Sequence, residues 1–361
     1  MSVSGRLEAP TSREPRRDLA TAATEASEAR PLRIFCNSRW FEGRAFRGRP
    51  IESIVFRGGL LATMRLFFAA RGGDAVVFNV DERQLLVFCL LRRLIGARHC
   101  RLVSVDIHLP PLRTARLRWR ARFVGWLLRE VDLFICYFKA TERMQRAYGL
   151  VRKPFVYVPF KVNAYAAVER VKPTDDGFGL VCGRSDRDYR TLVAAVDGLD
   201  VPIVVLVGPD HAAYGADIAS VTFPPNVRVE MDDGSLESWI KWIARARFIV
   251  LPVVPDTLKP SGISAYLDAM ALGKCVIITD SPATQGLIDS GEAVVVPPDD
   301  PAALRSAITH VAADTEYREH VAAAGSTYAR SLGDEARLAE DIAQCVGALV
   351  GSAEHKGRAT A

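Results

Sequence analysis

The chain has 361 residues, of which 49% are hydrophobic and 25% are charged, with 47 Lys and Arg against 42 Asp and Glu. This length exceeds what one hydrophobic core usually covers, so we expect two domains. A formal net charge of +5 is small for a chain of this size and argues against a nucleic-acid-binding protein.

Residues 1–30 are polar and rich in Ala, Ser, Glu and Arg, and they lack the apolar centre of a secretory signal. We predict a disordered tail there. Seven cysteines lie singly, with no C-x-x-C pair, which is typical of core thiols in a reducing compartment and predicts a cytoplasmic protein. The longest apolar runs are shorter than the about 20 residues that a membrane span requires.

Short apolar strands alternate with helical periods from residue 31 onward. The predicted strands are 32–36, 51–56, 74–79, 101–105, 132–138 and 155–160, and the predicted helices are 57–70, 82–95, 113–130 and 141–148. Such alternation builds βαβ units and a parallel sheet. We therefore predict a Rossmann-like domain over residues 31–160, with a linker at 161–177.

The alternation restarts after the linker and predicts a second Rossmann-like domain over residues 178–330. Its strands are 178–182, 202–207, 227–231, 247–252, 274–279 and 293–297. Residues 331–361 are predicted to form a helix that packs back, followed by a tail. The aromatic run at 238–248 is predicted to pack under the second sheet through Trp239, Trp242 and Ile243. The predicted fold class is α/β, with two doubly wound domains facing across a cleft, where such sheets bind ligands.

One segment, KPSGISAYLDAMALGKCVIITD (259–280), carries the chemistry of the second half. Gly262 allows close backbone approach to a ligand, and Ser261 is a competent N-cap for a helix that begins near Ile263. The free N–H groups at that helix end attract anions such as phosphate.

Ser264 and Asp268 are four residues apart and share one face of this helix. A carboxylate there could accept the two hydroxyls of a ribose, and phosphate with ribose indicates a nucleotide. The alternative is that Asp268 faces solvent or pairs with Lys259 or Lys274.

The run SGISAYLDAMALGKCVIITDSPATQGLIDSGEAVVVPPDDPAALRSAI resembles the donor-binding half of GT-B glycosyltransferases, most closely the large retaining family. FGLVCGRSDRDYRTLVAAV (178–196) extends the resemblance, because that family has a strand, Gly-Arg and a diphosphate-clamping Lys or Arg there. The resemblance implies that Asp268 binds the ribose of a nucleotide sugar and that Lys259 adds a positive charge. The implied donor-binding residues are Gly183, Arg184, Arg187, Lys259, Ser261, Gly262, Ile263, Ser264 and Asp268.

The resemblance has one departure. The family's first acid, which contacts the donor sugar, falls on Pro260 here. The spacing from Ser261-Gly262 to Asp268 also resembles the donor motif of inverting GT-B enzymes that make cell-wall precursors. Both alignments retain Asp268.

The catalytic candidates are Asp106, His108, Arg184 and Arg187. The first two follow a predicted strand, where α/β folds place their sites, although Asp106 could instead cap a turn before Pro110. The two arginines would stabilise the leaving diphosphate without a metal or cofactor. The six histidines form no metal-ligand pattern, so no metal site is predicted.

The resemblance implies a glycosyltransferase that moves a sugar from a nucleotide diphosphate to a glycan, lipid-linked or small-molecule acceptor, with the longer motif favouring retention. The Gly58-Gly59 turn resembles the acceptor-side loop of such enzymes, or is a plain turn. There are two alternatives: a catalytically inactive protein that binds a nucleotide sugar or a carbohydrate, and a sugar-nucleotide epimerase.

The stretch RTARLRWRARFVGWLLR (113–129) contains six Arg and no acid. On a helical wheel its apolar stripe, flanked by Arg on both sides, consists of Leu112, Ala115, Trp119, Phe123 and Trp126. Such a helix suits the surface of an anionic bilayer, which would place the protein peripherally on the inner face of the cytoplasmic membrane. The alternative is a core-facing helix with a solvated basic face.

Overall fold

The computed structural model describes residues 30–358, except 97, 98, 164, 210–217, 219, 220 and 290, and it describes side chains as far as residue 352. The predicted tail at residues 1–30 lies outside the described residues apart from Arg30. The predicted tail at the other end also lies largely outside them.

The first sheet has seven strands in the order β2-β3-β1-β4-β5-β6-β7, all parallel except for a short β2–β3 hairpin. The strands are β1 (Leu32–Cys36), β2 (Ala45–Phe46), β3 (Arg49–Val55), β4 (Ala75–Asn79), β5 (Arg101–Val105), β6 (Leu133–Cys136) and β7 (Phe155–Tyr157). The helices that follow are α1 (Leu60–Ala69), α2 (Glu82–Ile95), α3 (Ala115–Leu128), α4 (Glu142–Tyr148) and α5 (Tyr165–Val168).

The second sheet has six parallel strands in the order β10-β9-β8-β11-β12-β13. They are β8 (Gly179–Val181), β9 (Ile203–Val207), β10 (Val227–Met231), β11 (Phe248–Leu251), β12 (Cys275–Thr279) and β13 (Val294–Val296). The helices are α6 (Tyr189–Val196), α7 (Leu236–Arg245), α8 (Ile263–Ala271), α9 (Pro301–Ala313), α10 (Thr315–Ser331) and α11 (Glu335–Arg358).

Central strands of both sheets are buried on both faces, because helices cover them. In β9, all five residues of IVVLV are buried, as expected of a parallel strand whose apolar side chains point both ways. The predicted α/β fold of two Rossmann-like sheets is confirmed.

The last helix, α11, leaves the second sheet and packs against β2 and β5 of the first. Its approach is close, since a Cβ added to Gly347 would lie 2.3 Å from the ring of Phe46. This glycine lets the helix backbone rest on the aromatic ring.

All seven cysteines are free thiols, and five of them are buried. Burial raises the pKa of the Cys36 and Cys89 thiols to about 12, so both stay protonated at neutral pH. Within the described residues, none of the helices combines the length and the apolar character needed to cross a bilayer.

Candidate functional site

A cavity of about 440 Å³ lies between the two sheets. Every residue predicted for the site lines it: Asp106, His108, Gly183, Arg184, Arg187, Lys259, Ser261, Gly262, Ile263, Ser264 and Asp268. Pro260 lines it too, whereas the Gly58-Gly59 turn does not. The donor-binding and catalytic roles of these residues remain predictions.

The strand order explains why these residues meet. In the second sheet β8 lies between β9 and β11, so the connections leave β8 and β11 in opposite directions. A crevice opens between strand ends at such a reversal. The segments that follow these two strands carry Arg187 and Gly262.

Arg187 lies beneath the loop that follows β8. It is 4% exposed, its Nε donates to the carbonyl of Cys182 at 2.7 Å, and its Nη1 donates to the carbonyl of Ser185 at 2.7 Å. Burial lowers the pKa of Arg187, because desolvation disfavours the charged form. Both acceptors are uncharged, so an anion in the cavity would stabilise this guanidinium.

Gly183 leaves room for the Arg187 guanidinium, and Gly262 lies beside the same group. A Cβ on Gly183, whose φ is 96°, would lie 1.9 Å from Arg187 Nη2, and one on Gly262 would lie 3.8 Å from the same atom. A side chain at Gly183 would therefore displace the guanidinium. The Gly-Arg-x-x-Arg spacing is the sequence signal for this arrangement.

Helix α8 begins at Ile263, and its N-cap is Gly262, with φ of 102° and no side-chain cap. The prediction that Ser261 is the N-cap is wrong. The Ser261 hydroxyl donates instead to Asp186 Oδ2 at 2.7 Å. Within the described residues, the start of α8 has no side-chain cap, and the Ile263 N–H donates to the carbonyl of Pro260 at 3.1 Å. The next two residues, Ser264 and Ala265, line the cavity, where an anion could accept from their N–H groups.

Asp186 holds the turn before α8 and was missed in the sequence. Its Oδ2 also accepts from Thr257 Oγ1 at 2.9 Å and lies 3.3 Å from Lys259 Nζ. Lys259 therefore brings a paired charge to the cavity rather than a free one. Asp186 does not line the cavity, so it does not replace the acid that is absent at Pro260.

Asp268 lies at the cavity wall but is only 2% exposed. Its Oδ1 accepts from the main-chain amide of Asn163 at 3.0 Å, and its Oδ2 accepts from Trp239 Nε1 at 3.0 Å. The alternative of a solvent-facing carboxylate is wrong. The alternative of an ion pair between Asp268 and Lys274 is also wrong, because Lys274 Nζ donates to the carbonyls of Thr174 and Ala246.

The cavity residues that were not predicted for the site include four with large or polar side chains: Tyr137, Phe160, Asn163 and Trp239. Trp239 was expected only to pack under the second sheet. It does pack against the core, but its indole also reaches Asp268. Ser235 and Trp239 are four residues apart at the start of α7 and therefore lie on one face of it. This spacing could have indicated that a second helix end faces the cleft.

Asp106 and His108 lie on the opposite wall. His108 Nε2 is 3.1 Å from Asp106 Oδ2, while Asp106 Oδ1 is buried without a hydrogen-bond partner among the described residues. Asp106 has φ of 51°, a left-handed conformation that turns its carboxylate into the cleft. The alternative that Asp106 caps the turn before Pro110 is not what the structure shows.

The pKa of His108 is set by opposing effects. Burial lowers it, but the hydrogen bond with Asp106 and the charges of Asp106 and Glu82 outweigh burial and hold the pKa of His108 above its ordinary value. A hydrogen-bonded Asp–His pair of this kind can take up or release a proton near neutral pH.

A second cavity of about 790 Å³ adjoins the first and shares Asp106, Tyr137 and Phe160 with it. It lies beyond the ends of β1 and β4, where the strand order of the first sheet also reverses. Its wall includes Trp40 and Glu335, which are joined by a hydrogen bond of 2.8 Å from the indole Nε1. The two cavities therefore meet at Asp106.

Arg184 is exposed at the cavity mouth, and Ser264 is half-buried on α8. Within the described residues, no three His, Cys, Asp or Glu side chains are grouped closely enough to hold a metal ion.

Residues 183–314 match the family model of "Glycosyl transferases group 1". This range contains the loop after β8, the turn at Ser261-Gly262 and helix α8. No curated protein matches the chain.

Solved structures show the fold. Anabaena Alr3699/HepE in complex with UDP-glucose is 15% identical, with a TM-score of 0.61, over 88% of this chain and 99% of that one. Sucrose-phosphate synthase from Thermosynechococcus elongatus is 16% identical, with a TM-score of 0.60, over 92% of each chain. Trehalose 6-phosphate synthase from Burkholderia multivorans is 13% identical, with a TM-score of 0.60, over 82% of this chain and 76% of that one. The chain therefore has the GT-B fold.

Proposed function

We propose that this protein is a glycosyltransferase that binds a nucleotide-diphosphate sugar in the cleft cavity and transfers the sugar to an acceptor in the adjoining cavity. The family match over residues 183–314 supports this class of enzyme. Anabaena HepE, which has the same fold, was solved in complexes with UDP and with UDP-glucose, which supports a nucleotide sugar as donor.

The observation that carries the proposal is the Arg187 guanidinium beside Gly262. A buried cation whose hydrogen-bond acceptors are carbonyls lies next to the first turn of α8 and its N–H groups at Ser264 and Ala265. Charge-assisted hydrogen bonds to a diphosphate would satisfy both groups at once. We assign the pyrophosphate to this place, with Arg184 at the mouth as a second donor.

The ribose would then lie along α8 toward Asp268. Both carboxylate oxygens accept a protein hydrogen bond, and an ionised carboxylate offers about four acceptor sites in all. A ribose hydroxyl would reach one of them from the cavity side. Asp268 thus binds the sugar ring as an oriented acceptor that Trp239 and Asn163 hold in place.

In the transfer step, the bond between the sugar C1 and the diphosphate oxygen breaks, and its electron pair leaves with the diphosphate. Arg187, Arg184 and the start of α8 stabilise the charge that develops there, and we propose that no metal or cofactor is needed. The acceptor hydroxyl attacks C1 and loses its proton.

Asp106 lies where the acceptor hydroxyl would arrive, because the two cavities meet at this residue. In an inverting reaction the Asp106–His108 pair would be the base for that proton. In a retaining reaction, which the resemblance of the α8 segment favours, the pair would orient the acceptor and the departing diphosphate oxygen would take the proton. The anomeric configuration of the product, read by NMR, distinguishes the two.

A silent nucleotide-sugar-binding protein is the second candidate. It is favoured by Pro260, which stands where the related motif carries the acid that contacts the donor sugar. The test is to incubate the purified protein with UDP-, GDP- and ADP-sugars, with and without lipid extract, and to measure free nucleotide diphosphate. Release supports transfer or hydrolysis, binding without release supports the silent protein, and an epimerised product seen by NMR supports the epimerase.

A further inference from the structure

Helix α3 exposes aromatic side chains rather than burying them. Its core-facing residues are Ala121, Val124 and Leu128, whereas Trp119 is 72% exposed and Phe123 is 55% exposed. The alternative that this aromatic stripe packs on the sheet is wrong for these two residues. Trp126 differs, since it is half-buried beneath the Arg93 guanidinium, 4.0 Å from its ring.

Helix α1 exposes a second apolar stripe, which was not predicted. Thr63, Leu66 and Phe67 face the protein. The opposite side carries four large apolar side chains that are all exposed, with Leu61 reaching 72%: Leu60, Leu61, Met64 and Phe68.

Helix α2 lies between α1 and α3 and packs against both. Its last turn exposes Leu94 and Ile95. The exposed apolar residues of all three helices therefore lie on one side of the first sheet, and we name this surface the α1–α3 face. Monomeric proteins rarely leave so extended an apolar surface without a partner.

Arginines border the α1–α3 face, and acids are almost absent from it. Residues 57–71 and 107–129 contain no Asp or Glu. The exposed arginines in these segments, other than Arg113 and Arg129, are Arg57, Arg65, Arg71, Arg116, Arg118, Arg120 and Arg122. Two of them stack on the apolar residues: Arg122 lies 5.3 Å from the Trp119 ring and Arg71 lies 4.9 Å from the Phe68 ring.

We propose that the α1–α3 face docks on an anionic lipid bilayer, with its apolar side chains among the acyl chains nearest the headgroups and its arginines among the headgroup phosphates. An apolar stripe bordered by cations is complementary to such a surface. A second copy of this chain fits less well, because a two-fold contact would bring the same arginines against each other.

The docking surface also lies near the proposed reaction site. Helix α1 begins just past the carboxyl end of β3, and Asp106 follows the carboxyl end of β5 in the same parallel sheet. Leu60 and Leu61 are thus at the edge of the sheet that carries Asp106. Docking through this face would hold that edge near the lipid headgroups.

Vesicle flotation of the full chain tests the proposal. We expect the protein to float with vesicles of equimolar phosphatidylcholine and phosphatidylglycerol, and not with phosphatidylcholine alone. Raising the salt to about 1 M, where the Debye length falls to about 3 Å, should release most of it. Failure to float with the anionic vesicles would overturn the proposal.

Three variants assign the binding to the face. Leu61→Ser/Phe68→Ser changes α1, Trp119→Ser/Phe123→Ser changes the stripe on α3, and replacing Arg116, Arg118, Arg120 and Arg122 by Gln removes charge alone. Each should lower the vesicle partition coefficient about tenfold or more. The matched control is Met231→Ser, since Met231 is 63% exposed on the second sheet; it should bind vesicles as the wild type does.

Equal loss in the control, or no loss in the three variants, would refute the assignment. Concentration-dependent dimers that the variants abolish, with no vesicle binding, would show that a second copy covers the face. None of the substituted residues lines either cavity, so each variant should still bind UDP. This readout separates failure of the docking proposal from failure of the proposed function, and it also reports correct folding.

Discussion

Trp239 Nε1 donates a hydrogen bond of 3.0 Å to Asp268 Oδ2, joining the first turn of α7 to the middle of α8. The main chain of Asn163 donates to the other oxygen of the same carboxylate. Asp268 is therefore both a fixed point between three segments of the chain and the acceptor that we assign to the ribose. Mutations at the two residues should separate these roles.

Asp268→Ala should weaken the binding of UDP by more than about tenfold, or roughly 1.4 kcal/mol, as measured by calorimetry. Trp239→Phe removes one hydrogen bond to a carboxylate and should cost about 1.5–3 kcal/mol of unfolding free energy, with a smaller loss of affinity because the carboxylate remains. If Asp268→Ala lowers the melting temperature while the affinity for UDP stays the same, the carboxylate is structural only.

Arg187→Met should weaken UDP binding by about 1.5–3 kcal/mol, the usual value of a hydrogen bond to a charged group. The affinity for uridine should change little, because the nucleoside lacks the diphosphate. Arg190→Met is the control, since Arg190 is exposed on α6 and does not line the cavity. Equal losses for UDP and uridine would contradict an assignment of the diphosphate to Arg187.

The His108 imidazole should titrate above its ordinary pKa of about 6.5, and Asp106→Asn should lower that pKa. NMR of the ring protons measures both values. Because the pKa is raised on folding, the resulting stabilisation is present below the unfolded pKa and is lost as the pH rises through the folded pKa. His108→Gln should therefore destabilise the protein relative to wild type at acidic pH and much less at alkaline pH. If the pKa of His108 is the same in Asp106→Asn as in the wild type, the proposed Asp106–His108 interaction is refuted.

Arg113 forms a two-point ion pair with Asp256, at 2.5 and 2.6 Å, that joins the segment after β5 to the segment after β11. The pair is partly exposed, so a double-mutant cycle should give a coupling of about 0.2–1 kcal/mol. The Arg113 hydrogen bond lowers the pKa of Asp256. The coupling energy should thus be fully present at pH values above the pKa of Asp256 in the unfolded chain. It should vanish as the pH falls through the pKa of Asp256 in the folded protein. A coupling that does not change with pH would contradict this ion pair.

Much of the fold could be predicted from the sequence because parallel strands buried on both faces leave continuous Val and Ile runs. Strand β5 and helix α2 have the bounds that the pattern predicts, at residues 101–105 and 82–95. The β2–β3 hairpin could not be predicted, since its first strand is two residues long and has no period. Helix α5, with four residues, lies within the predicted linker for the same reason.

The site could be predicted where one short segment holds the chemistry, and not where distant segments meet. Gly262 is the N-cap of α8 and Asp268 lies in that helix, six residues further along. Asp186, however, acts on Ser261 from a segment 75 positions away, and Trp239 reaches Asp268 from another helix. Such contacts depend on the crossing of chain segments, which local spacing does not encode.

A crystal structure of the protein soaked with UDP tests the central claim most directly. The account predicts the diphosphate beside Arg187, Arg184 and the amide groups at the start of α8, with the ribose within hydrogen-bond distance of Asp268. A nucleotide bound elsewhere, or bound here with its ribose turned away from Asp268, would contradict it.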